Sequence, residues 1–504
     1  MPLARAFAVA LFGIDGKVVE IEADVGGGKP KTQLIGLPDT ALNEAKERVR
    51  AAIRNSHLEW PNQLVTLGLS PAALPKGGSS YDLALACAVL VAAGQVPPGP
   101  LAQTVLIGEL ALDGRIRPVR GILPGLLAAR REGLRHAIVP AATLPEAALV
   151  SDVEVLGAER LEDVLGWLRG EPGRLSAPGP HPPIPDVPTE DLADVLGQPE
   201  ARWALEVAAA GGHHLLLMGP PGTGKTMLAQ RLPGLLPRLN HDQALEVTAV
   251  HSIAGALTPE SPLITIPPFV SPHHSTSVPA LVGGGVGLAK PGAISRAHHG
   301  ILFVDEAGEL GPRCLESLRT ALEEGEIRLA RRDGVVRYPA RFQLVLATNP
   351  CPCAPPRERD CTCSPHARRR YLARLSGPLL DRVDLRVRMR PITAMSTTEG
   401  TIPESTDLVR ARVARARQRA AERWSGHGWH TNAEVPGPFL RREFGLARPT
   451  TALLDRSLAS GALTARGADR TLRVAWTLSD LANVDRPDSD HVAAALEFRD
   501  RRAA

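Results

Sequence analysis

Residues 215–226 read LLLMGPPGTGKT, an apolar run that breaks into a glycine-rich loop and ends in Lys-Thr. Gly219, Gly222 and Gly224 permit a tight turn whose backbone N–H groups face inward, with Pro220, Pro221 and Thr223 completing the loop. The helix MLAQRL opens at that point and adds the positive end of its dipole, so the ligand that suits the loop is a phosphate. Lys225 then reaches the β- and γ-phosphates of a nucleotide, and the Thr226 hydroxyl ligates Mg2+. About eighty residues later, ILFVDE ends a buried strand in Asp305 and Glu306. Asp305 suits the Mg2+ shell and Glu306 the orientation of an attacking water, because phosphoryl transfer depends on positioning and charge neutralisation. Both acids stand beside the phosphate loop if the two strands are neighbours. FQLVLATN closes on Asn349, a polar group able to hold the same water.

A second constellation follows at once. CPCAPPRERDCTC sets Cys351, Cys353, Cys361 and Cys363 as two C-x-C pairs, and four thiolates at the two ends of a loop can close a tetrahedral, structural Zn2+ site. C-x-C is less usual than C-x-x-C, so four reduced thiols or a redox-sensitive pair stay open as the alternative, with His366 a substitute ligand. Cys87 and Cys314 read as ordinary helix or core residues. EIRLARRDGVVRYPARF holds two strand-like runs around Asp333-Gly334, a dipeptide that suits a two-residue hairpin and puts Arg331 and Arg332 near its tip. Such a tip can track a phosphate backbone or simply be solvated. LVRARVARARQRAAERW places Arg412, Arg415, Arg419 and Arg423 on one helical stripe, for which a solvated face competes with a DNA contact.

The elements that must position these groups are those of an α/β multidomain protein. At 504 residues the chain exceeds one hydrophobic core, and its 58 basic and 54 acidic residues leave an excess too small to identify a partner. Residues 1–170 alternate strand-like runs (VVEIEADV, LVTLGLS, TVLIGEL, HAIVP) with helical ones, as one α/β domain does. Residues 171–190 are proline-rich and read as an extended spacer. In 191–395, a helix around ADVLGQPEARWALEVAAAGG precedes LLLMG, ILFVDE and FQLVLATN, three strands separated by helical segments as in a parallel sheet, with 351–363 as a cysteine-rich insert. Residues 396–504 read as a small helical domain. With no unbroken apolar stretch of roughly 18 residues and no cleavage site after MPLARAFAVALFG, the expected location is the cytoplasm, with no membrane partner.

Together these residues resemble an AAA+ ATPase. SPHHSTSVPALVGGG, PGAISRAHHGILFVDEAGEL and LSGPLLDRVDLRV resemble the magnesium-chelatase-like ComM/YifB family, and the resemblance covers nearly the whole chain. It implies an AAA+ P-loop core with a C-terminal helical lid, ATP and Mg2+ as cofactors, and self-assembly as a hexameric ring. It also implies ATP-driven movement along single-stranded or branched DNA, with branch migration in recombination or natural transformation. By the same resemblance Arg382 is similar to an arginine finger that enters the neighbouring subunit's site, with an ion pair to Asp381 or Asp384 as the alternative. Arg466 looks like the sensor-2 arginine of the lid, on a helix it shares with Arg470 and Arg473. The hairpin bearing Arg331 and Arg332 corresponds to one that lines the pore in ring-forming relatives.

Residues 1–170 resemble the proteolytic domain of Lon, through GLPDTALNEAKERVRAAIRNS, PKGGSSYDLALACAVL and GELALDGRIRPVRGILPGLLAARREG. That family uses a Ser–Lys dyad. Ser80 falls at the nucleophile, but Leu123 stands where the lysine should be and Gly125 follows two residues on, so the fold is expected as a platform without the dyad. Two rival functions stay open: a chelatase motor subunit that remodels a partner protein, and an ATP-regulated scaffold.

Overall fold

Alternating inward alanines and valines make Leu3–Phe12 (β1) and Asp15–Gly26 (β2) a long antiparallel pair, closed by a turn at Gly13. This computed structural model describes residues 3–36, 40–72, 74, 76–180, 190–285, 289–331, 334–375, 377–391 and 403–500. The pair is the centre of a seven-stranded mixed sheet that adds Lys31–Ile35 (β3), Leu64–Ser70 (β4), Thr104–Leu106 (β5), His136–Pro140 (β8) and Glu154–Ala158 (β9), in the order β3-β4-β2-β1-β5-β8-β9. Glu109–Leu110 (β6) and Ile116–Arg117 (β7) form a separate ribbon. The helix Asp82–Ala92 is buried along nearly its whole length, Cys87 included, against the sheet. Residues 171–180 differ from a free spacer: Ser176 and Gly157 exchange two backbone hydrogen bonds of 2.8 and 2.9 Å, extending the sheet edge at β9. Residues 181–189 of that segment lie outside the described residues.

The second sheet is all parallel. Leu215–Met218 (β10), Phe269–Val270 (β11), Ile301–Val304 (β14), Gln343–Thr348 (β17) and Leu385–Arg388 (β18) lie in the order β11-β14-β17-β10-β18. β14 and β17 are buried on both faces, which is why they read as unbroken apolar runs rather than alternating ones. One face packs on the C-terminal helices Thr406–Trp424, Ala465–Leu481 and Ser489–Asp500 in a single core containing Leu217, Phe303, Val345, Trp424 and Trp476. The other face holds Leu216, Leu302 and Leu344 under Tyr338 and Leu318. Tyr338 belongs to a hairpin of Glu326–Arg331 (β15) and Gly334–Pro339 (β16), and a small ribbon of Gly283–Gly284 (β12) and Lys290–Pro291 (β13) lies beside it. The helix foreseen around residues 193–212 begins only at Pro199, because Gln198 adopts a left-handed φ of 56° and proline suits the first helical position.

The two sheets dock through the β1–β2 turn. Leu11 and Ile14 are shared between the cores of both domains. Gly13, at a φ of 62°, lies so close to the hairpin that a Cβ there would meet the Arg337 carbonyl oxygen at 2.4 Å and Val336 Cγ1 at 2.8 Å. A second contact joins the Gly121 N–H to the Ser252 hydroxyl at 3.0 Å, beside the buried carboxylate of Glu146, which accepts from the Leu123 N–H at 2.8 Å. Gly13→Ala is therefore expected to cost about 2–4 kcal/mol, from the left-handed backbone plus the clash with a main-chain oxygen. Gly133→Ala, equally left-handed at φ 82° but facing open space, should cost only about 1–2 kcal/mol. Urea midpoints of the two variants check the difference, and equal losses would remove the docking argument.

Candidate nucleotide and metal sites

β10 runs out at Met218, and the loop that follows turns through left-handed Gly222 (φ 75°) and Gly224 (φ 85°) into the helix Lys225–Leu235. Gly219 lies against β18: a Cβ there would stand 2.7 Å from the Met389 carbonyl oxygen. Lys225 is curled onto its own loop, its ammonium donating to the carbonyls of Gly219 (2.7 Å) and Pro220 (2.9 Å) and to Asn349 Oδ1 (3.1 Å). Burial lowers its pKa, and the charges of Asp305 and Glu306 oppose that shift.

The strands bearing the loop and the acids are not neighbours, as β17 lies between them. Even so, the Thr226 hydroxyl donates to Asp305 Oδ2 at 2.7 Å, and Asn349 stands at the end of the intervening strand. Asp305 accepts from the Glu306 N–H at 2.9 Å. Glu306 holds a left-handed φ of 48°, a strained state for a residue with a side chain, and its Oε2 lies 2.8 Å from His274 Nδ1. The SPHHST stretch that carries His274 gives it no role by itself, because its contact depends on β11 lying beside β14.

Arg382 and Arg466 are at the opposite end of this sheet. Leu385 pairs with Leu215, so Arg382 lies near the start of β10, and a strand of that length separates its ends by roughly 10 Å. Arg382, Arg466 and Arg470 line one cavity of about 270 Å3 with His214, Glu323 and Asp381. Arg382 is buried and pairs with Glu323, whereas Asp384 takes Arg470 at 2.7 Å; neither ion pair weighed for Arg382 from sequence forms in that way. Of the three arginines on the helix Ala465–Leu481, Arg473 is buried, with its pKa pushed down to about 10, and Arg470 is held by Asp384. Arg466 is the exposed one.

The four cysteines converge. Cys351, Cys353 and Cys361 stand 3.5 Å apart from one another, and all four sulfurs lie within 4.8 Å. A tetrahedral site with Zn–S bonds of about 2.3 Å needs sulfurs about 3.8 Å apart, so this donor set fits Zn2+ closely. Burial pushes the Cys351 thiol up to about 12, while hydrogen bonds, first from Cys363, lower Cys353 to about 6. One thiolate is thus solvated by its neighbours and further ionisation is resisted, a conflict that a dication removes. His366 is exposed and outside the cluster.

Glu246, His298 and His299 also cluster, with Glu246 Oε2 at 2.9 and 3.0 Å from the two Nε2 atoms. The Arg341 N–H donates to His298 Nδ1, which places the ring proton of neutral His298 on Nε2. That nitrogen donates to Glu246 and has no lone pair for a metal.

Three of the four arginines of the basic stripe on Thr406–Trp424 are paired within the molecule, and the fourth, Arg415, is exposed. Arg412 bridges Glu206 and Glu404, Arg419 reaches Asp485, and Arg423 pairs with Asp480 and lies 4.6 Å from the Trp476 ring centroid. Arg331 ends β15 beside Gly284 of the neighbouring ribbon; Arg332 and Asp333 lie outside the described residues. In the first domain no lysine or histidine contacts the Ser80 hydroxyl among the described residues. Leu123 is fully buried, and Lys76 directs its ammonium to the carbonyls of Gly36 and Pro71. From the sulfur geometry, metal analysis should return about one zinc per chain, lost when Cys351 and Cys361 are both replaced by serine; an ordered loop in metal-free protein would contradict the site.

Residues 191–397 match the family model for magnesium chelatase, subunit ChlI. Residues 21–143 match the model for subunit ChlI of Mg-chelatase, and 403–499 the model for the ChlI C-terminal region. An uncharacterized protein of Mycobacterium tuberculosis is 58% identical over 99% of both chains. The uncharacterized protein YifB of Escherichia coli is 39% identical, over 99% of this chain and 97% of its own. The competence protein ComM of Haemophilus influenzae is 38% identical, over 99% and 98%. With such relatives covered over nearly their whole length, the chain belongs to the magnesium-chelatase-like ComM/YifB family.

Proposed function

We propose that the protein is a ring-forming AAA+ ATPase that couples ATP hydrolysis to movement along DNA, with branch migration in recombination or natural transformation as its task. The observation that carries the reading is the division of the site. Lys225, Thr226, Asp305, Glu306 and Asn349 meet at one end of the parallel sheet, while Arg382 and Arg466 gather at the other. Only a second copy of the chain can bring the two sets together.

In that reading Lys225 exchanges its two carbonyl partners and Asn349 for the β- and γ-phosphates. Thr226 and Asp305 would hold Mg2+, which supplies charge neutralisation on the phosphates. Asn349, released from the lysine, and Glu306, released from His274, orient the attacking water. Arg382 of the adjacent copy stabilises the charge that develops on the transferred phosphoryl group, a contribution worth about 10^3-fold or more in rate. Arg466 reaches the same neighbouring nucleotide from the lid. Structural Zn2+ fixes the insert that directly follows Asn349.

The printed name of the Haemophilus relative, a competence protein, supports the DNA assignment. The hairpin supports it physically, since Arg331 stands at its end on a tip that would face the axis of a ring. The Lon-like domain, with Leu123 in place of a base, serves as a docking platform. Among the described residues no helix is long and apolar enough to cross a membrane, and we place the motor in the cytoplasm. The family models carry the name of magnesium chelatase, which favours a second reading, a motor subunit that remodels a protein partner. ATPase stimulation by branched or single-stranded DNA, or by a partner protein alone, separates the two.

Lys225→Ala should lose nucleotide binding, and Glu306→Gln should bind ATP while turnover falls by about 10^2-fold or more. Arg382→Ala should be inactive alone yet recover turnover when mixed with Glu306→Gln, because each supplies the half-site the other lacks. Absence of recovery at every mixing ratio would rule out the shared site. For the hairpin, Arg331→Ala should lower the ratio of DNA-stimulated to DNA-free turnover and flatten the salt dependence of binding. An unchanged ratio and slope would clear Arg331 of any role on DNA.

A further inference from the structure

The cysteine-rich insert carries more charge than a structural metal loop requires. Residues 357–374, RERDCTCSPHARRRYLAR, hold six arginines against Glu358 and Asp360, an excess of four that equals the net charge of the entire chain. The rest of the molecule therefore carries no net excess, and three of the four arginines of the C-terminal stripe, Arg412, Arg419 and Arg423, are held in salt bridges. Of the six between 357 and 374, Arg374 is held by Glu309 and Arg357 and Arg359 lie against Asp360, whereas Arg369 and Arg370 are not held among the described residues. The helix Pro365–Leu372 starts one residue after Cys363, with the Ser364 hydroxyl capping the Ala367 N–H at 3.2 Å. His366, Arg369 and Arg370 are exposed, and at spacings i, i+3 and i+4 they share one face, roughly 5–6 Å apart. Among the described residues no ion pair or side-chain hydrogen bond engages Arg369 or Arg370. Arg357 and Arg359 divide a single carboxylate, Asp360, at 2.8 and 3.9 Å.

The opposite side of this helix is tied to the nucleotide site. Tyr371 is buried so closely over the loop after Glu306 that a Cβ on Gly308 would stand 2.8 Å from its ring. Arg374 bonds the Gly308 carbonyl at 3.2 Å and Glu309 at 2.9 Å. A ligand on the arginine face would thus press on a rigid element that ends two residues from Glu306.

We propose that this face of the insert is a second contact for single-stranded DNA, made to the phosphate backbone by Arg369 and Arg370 with Arg357 and Arg359 alongside, and that it reports DNA occupancy to the ATPase site. The assignment rests on the DNA reading above. A phosphate backbone fits better than an acidic protein because the face carries two unpaired guanidinium groups and Tyr371 is buried: it can hold charge without reading a base, as a moving contact must.

The test uses the full-length chain and a fluorescent oligo(dT) strand, titrated at several salt concentrations. Arg369→Gln/Arg370→Gln should bind more weakly, with the slope of log affinity against log salt shallower by about 1.4, two phosphate contacts at about 0.7 each on single strands. The ratio of DNA-stimulated to DNA-free turnover should fall with it. Arg369→Lys/Arg370→Lys, which keeps both point charges, should restore the slope. If the wild type binds the strand and the glutamine variant binds it with the same slope, this inference fails while the DNA motor stands. If the wild type binds no DNA, both fail. A glutamine variant that no longer assembles, by sedimentation at matched concentration, while its subunits keep the wild-type slope, would make the face a contact between copies and overturn the proposal.

Discussion

The hydroxyl of Thr226 and the carboxylate of Asp305 are 2.7 Å apart although their strands are separated by a third. The register of three parallel strands, β14, β17 and β10, sets that contact: Val304 pairs with Leu346 and Met218 with Thr348, so β14 stops two residues short of the level at which β17 and β10 end. Parallel sheets of this kind are buried on both faces, so register is fixed by two cores at once, one under the lid and one under the hairpin. A slip of one residue in β17 would move Asn349 away from Lys225 and separate loop from acids.

The same sheet divides the chemistry. Lys225, Thr226, Asp305 and Asn349 follow the carboxyl ends of the strands, where glycine loops and helix N-termini concentrate. The cavity arginines collect at the amino ends, where Arg382 precedes β18 and the lid helix brings in Arg466 and Arg470. Burial of so many guanidinium groups is costly, and it is met by Asp384, which burial alone would raise but which Arg470 and the adjacent histidines hold well below its ordinary range. Asp384 also accepts the His214 N–H at 3.1 Å, so the acid that balances the arginines anchors the first residues of β10 as well. Asp384 thereby ties the helix Ala465–Leu481 to the parallel sheet.

Between the domains, the helix His241–Ala254 has a comparable part. Ser252 at its end meets Gly121 of the first domain, while Glu246 at its start accepts from both His298 and His299, just ahead of β14. The first domain thus touches the second at the segment that holds Gly121 and Leu123.

Much of this was legible in the residues themselves. A glycine-rich loop ahead of a helix, paired acids after an apolar strand and a four-cysteine insert are local patterns, because each is set by backbone conformation or side-chain type within a few positions, and the structure forms all three. So is the β15–β16 hairpin, although Gly334, read as a turn residue, opens β16 and pairs with Arg331. What the sequence could not supply is whatever depends on residues far apart along the chain. The interposed strand β17, the partner of Arg382, the exposure of Arg466 rather than Arg470, and the contact of His274 with Glu306 follow from strand order and helix rotation. The arginine stripe of Thr406–Trp424 makes the reason plain: spacing put the charges on one face, but only packing showed that Glu206, Asp480 and Trp476 cover Arg412 and Arg423 while Arg415 is left exposed. Periodicity tells which residues share a side of a helix; whether water, a carboxylate or a second element lies opposite is decided by the tertiary fold, because burial and charge pairing are properties of the assembled surfaces and not of either one alone.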